Sequence, residues 1–413
     1  MFRRIYLDNS ATTPVDPEVL EAMLPYLSGK FGNASSIHFY GQEARAAVDK
    51  ARHKVAALLH AGPNEIVFTS GGTESNNLAI RGSLEALKNI AEKPHIITSA
   101  IEHSAVQNVC EDLANQGFDI TYLPVYDDGI VRIQDVEAAI RENTALISVM
   151  TANNEIGTIQ PVEEIGALVR RLRKDGRKIF FHTDAVQAAG KLNIDVDTIG
   201  CDLLSISAHK IYAPKGTGAL YVRRGIRLHP QNIGGHQERE RRGGTESVAN
   251  IVAFGRACEK ALDDLADNAK RLADLRDDLE RRVAAVIPDV VFNGSRDLRI
   301  PTISNISFGS VEGEGLLINL DMQGVAVSTG SACSSGSLEP SPVIRAIGRS
   351  DELARGAIRF SFGIENTRED VDHVLDILPL AVASLRRMAP SVAVPVSEPE
   401  KRPGFEKPGC KEN

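Results

Sequence analysis

The sequence predicts an α/β fold with a mostly parallel, seven-stranded sheet and a second, smaller α+β domain. Two observations carry this prediction. Between about residues 60 and 225, seven short apolar segments alternate with helix-length segments, and several are the continuous apolar runs typical of strands buried on both faces. After Asn250 the pattern changes to a long helical run followed by short strands mixed with helices. Strands joined by helical crossovers indicate parallel pairing.

The predicted elements follow from local signals. A helix over 161–174 has proline in its first turn and Gly176 just past its end. A single helix is predicted over 256–286, stopped by Pro288. The predicted strands are residues 65–70, 95–100, 119–125, 145–150, 178–184, 203–207 and 218–224.

A chain of 413 residues is long enough for two or three domains at roughly 150 residues each. We expect an N-terminal segment (1–15) that packs with the small domain, a large domain (16–255) and a small C-terminal domain (256–390) that carries Cys333. The last stretch, 391–413, is rich in proline and charge, has little to bury, and is expected to be a disordered tail.

Composition argues against several classes of function. The chain has 47 Lys and Arg against 55 Asp and Glu, a net charge of −8, so it has no general attraction for nucleic acid or anionic lipid. No apolar run is long enough to span a membrane, and the N-terminus does not have the pattern of a signal peptide. The five cysteines are widely spread without a C-x-x-C pair, which favours a cytoplasmic location and predicts no metal site.

A phosphate-binding signal lies at residues 69–74, where a strand ends in Gly71 and Gly72 before a helix. Glycines let the backbone approach a ligand closely, and free N–H groups at a helix start attract a phosphate. The stretch matches neither the nucleotide P-loop nor the dinucleotide fingerprint. A plain strand-to-helix turn is the alternative.

Two further strand ends carry a lysine and an acid. Lys210 follows a buried strand, where its amine could be held as a Schiff base, although a solvated lysine is the ordinary alternative. Asp184 ends another apolar strand, where it could keep a pyridine nitrogen protonated, as pyridoxal phosphate requires, or simply cap a helix. His103 and residues 153–155 follow two more strands. Because ligands of parallel sheets bind at the carboxyl ends of the strands, the combination predicts a cofactor site.

The last signal is the stretch 328–337, in which every residue except Cys333 is Ser, Thr, Gly or Ala. Such a stretch predicts a mobile loop with an accessible, nucleophilic thiol. Cys110, Cys201 and Cys258 sit among apolar neighbours and are predicted to lie in the core, whereas Cys410 is in the tail.

These residues resemble the cysteine desulfurases of the class V aminotransferase family, in the branch serving nitrogenase or general iron–sulfur assembly. The resemblance runs from about residue 5 to 388. It implies the fold type I of pyridoxal-phosphate-dependent transferases, a homodimer, and conversion of L-cysteine to L-alanine with sulfur left as a persulfide on the enzyme. The motifs are YLDNSATTP (6–14), TSGGTESNN (69–77), HTDAVQ (182–187), SISAHKIYAPKG (205–216) and STGSACSSGSLEPS (328–341).

The resemblance also implies roles for individual residues around pyridoxal phosphate. Lys210 would bind the cofactor covalently, Asp184 would pair with its pyridine nitrogen, and Gln187 would bond its phenolic oxygen. His103 would stack over the ring and assist proton transfer. The residues implied to hold the phosphate are Gly72, Thr73, Ser207, His209 and, toward the partner subunit, Thr245.

For the substrate, the resemblance implies that Asn154, which also borders the cofactor, and Arg359 bind the carboxylate of L-cysteine. Cys333 would attack the substrate sulfur and pass it to an acceptor or iron–sulfur scaffold protein. Ser334 stands where many relatives have threonine, and the tail ends in GCKEN rather than the family's usual scaffold-binding segment. The alternative functions are a selenocysteine lyase or another β-elimination enzyme, a catalytically idle sulfur carrier or scaffold, and a nucleotide-binding protein.

Overall fold

The computed structural model describes residues 3–86, 94–330 and 339–388. The described strands are β1 (Ile5–Tyr6), β2 (Ile66–Thr69), β3 (His95–Ser99), β4 (Asp119–Leu123), β5 (Thr144–Ser148), β6 (Phe180–Asp184), β7 (Leu203–Ser207), β8 (Gly218–Val222), β9 (Val290–Phe292), β10 (Ile303–Phe308), β11 (Val325–Ala326) and β12 (Ala357–Ser361). The described helices are α1 (Pro17–Met23), α2 (Phe39–Leu58), α3 (Gly72–Ala86), α4 (Ser104–Asn115), α5 (Ile133–Ala139), α6 (Val162–Lys174), α7 (Val196–Ile199), α8 (Val248–Asp263), α9 (Leu265–Val286), α10 (Gly313–Met322), α11 (Pro342–Ala346), α12 (Asp351–Arg355) and α13 (Arg368–Met388).

The central sheet has seven strands in the order β2-β8-β7-β6-β5-β3-β4, so the predicted seven-stranded, mostly parallel sheet is confirmed. Strand β8 runs antiparallel to both of its neighbours, β2 and β7. The ten residues 208–217 between β7 and β8 are fewer than the dozen or more that a parallel crossover needs, so the chain reverses direction instead. Each predicted strand is present, with ends that differ by up to two residues.

The carboxyl ends of the parallel strands meet along one edge of this sheet. Strand β6 ends at Asp184 and β7 ends at Ser207, while β2 ends at Thr69, just before α3 begins. Strand β7 is buried along its whole length, because helices cover both faces of the sheet. This edge is the place where a ligand of an open α/β sheet binds.

A second hydrophobic cluster forms around the three-stranded sheet β12-β10-β9 and the helices α9, α10 and α13. Ile5 and Leu7 belong to this cluster, and β1 pairs in parallel with β11. Along the chain, Cys258 still packs in the first cluster and Leu272 in the second. The domain boundary placed after residue 255 falls within α8 and stays a prediction.

The prediction of one helix over 256–286 is wrong. Helix α8 begins at Val248, because Val248, Ala249 and Ile251 bury their side chains in the first cluster. It ends at Asp263, and α9 starts at Leu265 after Asp264, which has a ψ of 3°. Aspartate competes with the backbone for hydrogen bonds and is a weak helix former, so a break here is physically reasonable. Within the described part of the chain, no helix is long and apolar enough to cross a membrane.

Candidate active site

A cavity of about 290 Å³ lies at the carboxyl edge of the central sheet. Gly330 also lines the cavity. It is the last described residue before the segment that contains Cys333, so Cys333 lies outside the described residues. Thr245 is exposed on its loop and does not line this cavity. The sequence-predicted site residues that the cavity brings together are Gly72, Thr73, His103, Asn154, Asp184, Gln187, Ser207, His209, Lys210 and Arg359.

One end of the cavity is formed by the turn from β2 into α3. Gly71 has a φ of +154°, and a Cβ on Gly72 would lie 2.9 Å from Cγ2 of Val186, so both positions are suited to glycine. The first N–H groups of α3 have no acceptor within the helix and carry its positive dipole end. Ser207 and His209 line the same cavity. This end is therefore built to hold an anion.

Asp184 is 6% exposed at the end of β6. Its Oδ2 accepts a hydrogen bond from Nδ2 of Asn76 (2.6 Å), and its Oδ1 accepts one from the backbone N–H of Val186 (2.9 Å). An ionised carboxylate has about four acceptor positions, so Asp184 keeps capacity for a donor in the cavity. The carboxylate is held in place without being saturated.

Lys210 lies in the short 3-10 turn that follows β7. Its Nζ donates hydrogen bonds to the carbonyl oxygens of Ser10 and Ala11, the latter at 2.8 Å. The backbone of Thr13 is tied to the same turn, because its N–H donates to the carbonyl oxygen of His209 (3.0 Å). The N-terminal segment therefore closes the cavity on the side of the lysine.

Two histidines border the cavity and make different hydrogen bonds. His103 caps α4, where its Nδ1 accepts a hydrogen bond from the N–H of Ala105 (3.1 Å), so the neutral ring carries its proton on Nε2. His209 interacts through Nδ1 with the hydroxyl of Thr12 (3.1 Å). Burial, reinforced by the charge of Lys210, lowers the pKa of His209 to about 4. His209 is therefore a neutral hydrogen-bonding group at physiological pH.

Arg359 enters the cavity from β12 and is only 2% exposed. Its Nη2 donates to Oδ1 of Asp8 (2.7 Å), and its Nη1 donates to the carbonyl oxygen of Asn154 (2.9 Å). Its Nε is buried without a hydrogen-bond partner. A guanidinium held in this way is oriented, yet it keeps donors for a ligand carboxylate.

The sequence pattern of the family described as "Aminotransferase class-V" matches residues 5–374. The chain belongs to this family. A protein named cysteine desulfurase IscS from Dictyoglomus turgidum is 51% identical over 390 residues, which cover 94% of this chain and 97% of the relative. These matches confirm the resemblance to cysteine desulfurases of class V.

Solved structures support the same fold. A structure described as a NifS-like protein has a TM-score of 0.86 and 37% identity, and covers 92% of this chain and 100% of its own. A second, described as SspA in complex with cysteine, has a TM-score of 0.76 and 41% identity, and covers 87% of this chain and 98% of its own. The predicted fold class is thereby confirmed.

Several further residues that shape the cavity were not predicted from the sequence. Asn76 could have been found, because it lies four positions after Gly72 on α3 and therefore on the same helix face. Asp8 and the carbonyl oxygens of Ser10 and Ala11 belong to the motif YLDNSATTP, to which we assigned no site role. A cluster of polar residues just before Pro14 was the available signal.

A buried acid next to His103 was also missed. Oε1 of Glu102 accepts hydrogen bonds from the hydroxyl of Ser99 (2.6 Å) and the N–H of Met150 (2.9 Å), whereas Oε2 has no partner. Burial raises the pKa of Glu102 to about 8, with a smaller contribution from the charge of Asp184. Glu102 is therefore largely protonated at neutral pH.

The cysteines within the described residues do not offer a nucleophile. Cys110, Cys201 and Cys258 are buried, so their predicted core location is confirmed. Burial raises the pKa of each thiol, that of Cys110 to about 12. A neutral, buried thiol reacts poorly, because the thiolate is the nucleophilic form. In the described ranges, no group of three or more His, Cys, Asp or Glu side chains is placed to hold a metal ion.

Proposed function

We propose that the protein is a pyridoxal-phosphate-dependent cysteine desulfurase that converts L-cysteine to L-alanine and leaves the sulfur as a persulfide on Cys333. The observation that carries this proposal is one cavity in which Lys210, Asp184 and the N-terminus of α3 meet the guanidinium of Arg359. The relatives named cysteine desulfurase support the same reaction.

The residues of the cavity fit pyridoxal phosphate. The glycine turn before α3 suits its phosphate, and a side chain at position 72 would collide with Val186. Asp184 has spare acceptor capacity for a protonated pyridine nitrogen, and Lys210 supplies the amine. When bound, the cofactor serves as the electron sink for the substrate's carbon chain.

Each residue around the cofactor then has a defined task. Asp184 would stabilise the positive charge of the pyridinium, and Gln187 would donate to the phenolic oxygen. Asn154 borders the cofactor and contributes to binding the substrate. His103 would stack over the ring and would exchange a proton through Nε2, because its Nδ1 accepts from the N–H of Ala105. The residues that bind the phosphate are Gly72, Thr73, Ser207 and His209.

Arg359 binds the carboxylate of L-cysteine. Asp8 and the carbonyl oxygen of Asn154 fix the plane of its guanidinium, so that little side-chain freedom is lost when the substrate arrives. A planar guanidinium can hold a carboxylate at two points, which orients the substrate with respect to the cofactor.

Cys333 accepts the sulfur. It follows Gly330, which lines the cavity, by three residues, and three residues of chain span at most about 10 Å. The Cys333 thiolate attacks the sulfur of the substrate, an S–S bond forms, and the C–S bond breaks with its electron pair moving to the carbon side. Protonation of that carbon gives L-alanine, and Cys333 is left as a persulfide.

The persulfide then serves iron–sulfur cluster assembly or another thiolation through an acceptor protein. We further propose that the enzyme is a cytoplasmic homodimer in which Thr245, exposed on its loop, contacts the phosphate in the partner subunit.

The direct test is to incubate purified, cofactor-loaded protein with L-cysteine and to measure alanine and pyruvate. We expect alanine as the product, and we expect Lys210→Ala to lose the activity together with the covalent attachment of the cofactor. Lys215→Met removes an exposed lysine five residues away and should leave the activity unchanged. Pyruvate in place of alanine would identify a β-elimination enzyme, and activity retained in Lys210→Ala would contradict the assigned role.

A further inference from the structure

A second lysine, Lys191, is connected to the cavity through Gln187. Its Nζ donates a hydrogen bond to Oε1 of Gln187 (2.9 Å), and Nε2 of Gln187 donates to the carbonyl oxygen of Ser10 (3.0 Å). The same carbonyl oxygen accepts a hydrogen bond from Nζ of Lys210. The two lysines thus belong to one hydrogen-bonded network that passes through the amide of Gln187 and the carbonyl oxygen of Ser10.

The amide of Gln187 could in principle present either of its ends to a ligand. Its oxygen accepts and its nitrogen donates, and the two ends are nearly equal in size, so only the neighbouring groups decide which way it faces. Lysine nitrogen in its charged form is a donor without acceptor capacity. Lys191 therefore requires Oε1 on its own side, and Nε2 is left to face Ser10 and the cavity.

We propose that Lys191 is a positioning residue that fixes the amide of Gln187, so that the Nε2 donor faces the phenolic oxygen of bound pyridoxal phosphate. This inference rests on the proposed function, since it requires the cofactor to occupy the cavity. The phenolic oxygen is an acceptor, and an amide turned the other way would place a second acceptor against it.

Lys191 also borders a second, smaller cavity that contains charged groups of both signs. It lines a narrow cavity of about 50 Å³ on the far side of Lys210, and its side chain is partly buried. Asp16 in this cavity is paired with Lys260 at 3.5 Å. The titratable groups that line this cavity with Lys191 are Asp16, Lys210, Tyr212, Lys260 and Asp264, and the charge of Arg359 also acts on Lys191.

Burial, reinforced by the like charges of Lys210 and Arg359, lowers the pKa of Lys191 to about 7. A lysine amine still donates hydrogen bonds after it loses its extra proton. The neutral amine can also accept a hydrogen bond, so Lys191 fixes the orientation of Gln187 most firmly in its charged form, while the carbonyl oxygen of Ser10 holds Nε2 at any pH.

The test is a double-mutant cycle read from the visible absorption of the bound cofactor as a function of pH. Lys191→Met should move the pH midpoint of the absorption change by at least about half a unit, which is a roughly threefold change in proton affinity. Gln187→Ala should move it in the same direction. The double variant should match Gln187→Ala alone, because Lys191 acts through Gln187. Lys178→Met, which removes an exposed lysine, serves as the control for net charge.

An unchanged midpoint in Lys191→Met, or shifts that add in the double variant, would overturn the inference. If Lys191→Met does not fold, Lys191→Arg tests the same point: it keeps a donor toward Oε1 and should retain the wild-type midpoint, whereas a shift as large as in Gln187→Ala would count against it. The readout needs only bound cofactor. A protein that binds pyridoxal phosphate but makes no alanine contradicts the proposed function alone, and one that binds no cofactor contradicts both.

Discussion

Two buried arginines, Arg52 and Arg359, are held in different ways. Arg52 makes a two-point ion pair with both carboxylate oxygens of Glu238, each at 2.7 Å, and also donates to the carbonyl oxygen of Ile66 (2.8 Å). Its guanidinium lies 4.6 Å from the ring centre of Phe68. Arg359, in contrast, donates to one oxygen of Asp8 and to a backbone carbonyl, and it lines the cavity.

The charge of Arg52 is used to hold the fold together, whereas the charge of Arg359 is available to a ligand. Glu238 is itself bound by the N–H of Phe68 (3.0 Å), so the Arg52–Glu238 pair ties the loop of Glu238 to β2 on the way to the phosphate-binding turn. Desolvating such a pair is tolerable because both Nη groups of Arg52 are bonded to Glu238 and Ile66, although its Nε is buried without a partner. Arg359 is not paired with both oxygens of one carboxylate and it lines the cavity, so its remaining N–H donors can bind a substrate carboxylate.

The largest effect should follow from breaking the structural pair. Glu238→Gln leaves the charge of Arg52 buried without a counter-ion, and we expect a loss of about 3–5 kcal/mol in the free energy of unfolding. Urea unfolding of the purified variant measures this loss. Asp49→Asn, which breaks the exposed pair with Arg45, should cost less than about 1 kcal/mol. Equal losses of unfolding free energy in the two variants would contradict the distinction between the buried pair and the exposed pair.

At Arg359 we expect a smaller effect, on catalysis rather than on stability. Arg359→Lys keeps the charge but loses the two-point fork, so kcat/KM for L-cysteine should fall by roughly 10- to 150-fold, the equivalent of about 1.5–3 kcal/mol. The free energy of unfolding should change little, because the side chain of Asp8 is 20% exposed and can be hydrated. Arg345→Lys, at an exposed ion pair, is the matched control. Wild-type kcat/KM in Arg359→Lys would contradict the role in substrate binding.

Two buried glutamates differ in a similar way. One carboxylate oxygen of Glu102 has no hydrogen-bond partner, whereas both carboxylate oxygens of Glu238 are bonded. The pKa of Glu102 is raised to about 8 in the folded protein and is about 4.3 in an unfolded chain. The folded state therefore holds an extra proton between these values, and the contribution of Glu102 to stability is lost as the pH rises toward 8.

Glu102→Gln removes this titration. The stability of the variant relative to the wild type should rise by about 1.4 kcal/mol per pH unit between pH 5 and 8 and then level off. Chemical unfolding at several pH values in this window measures the difference. A difference that does not change with pH would show that Glu102 is ionised in the folded protein.

Residues at strand ends were the predictable part of the site. The sequence could place three of them together, because each lies at or just after the end of an apolar strand and parallel strands end at a common edge. They are Asp184, Lys210 and Gly72. The sheet itself was predictable for the same reason, except for the reversed direction of β8. That reversal depends on the short connection after β7 rather than on the pattern within the strand.

The rest of the site depends on contacts between distant parts of the chain. Asp8 and Arg359 are 351 positions apart, and no local pattern says that they form an ion pair. The hydrogen bonds from Lys210 to Ser10 and Ala11 span about 200 positions and end on backbone carbonyl oxygens, which carry no sequence signal. The break between α8 and α9 at Asp264 was missed because the apolar spacing continues through it.

The most direct test of the central claim is to follow the sulfur atom in the cofactor-loaded protein. After incubation with L-cysteine, peptide mass spectrometry should find one added sulfur on Cys333, together with alanine in solution. Cys333→Ser should bind pyridoxal phosphate as the wild type does but form neither alanine nor persulfide, and Cys410→Ser should behave like the wild type. If Cys333→Ser releases alanine and sulfide from L-cysteine at the wild-type rate, Cys333 does not accept the sulfur and the desulfurase mechanism is contradicted.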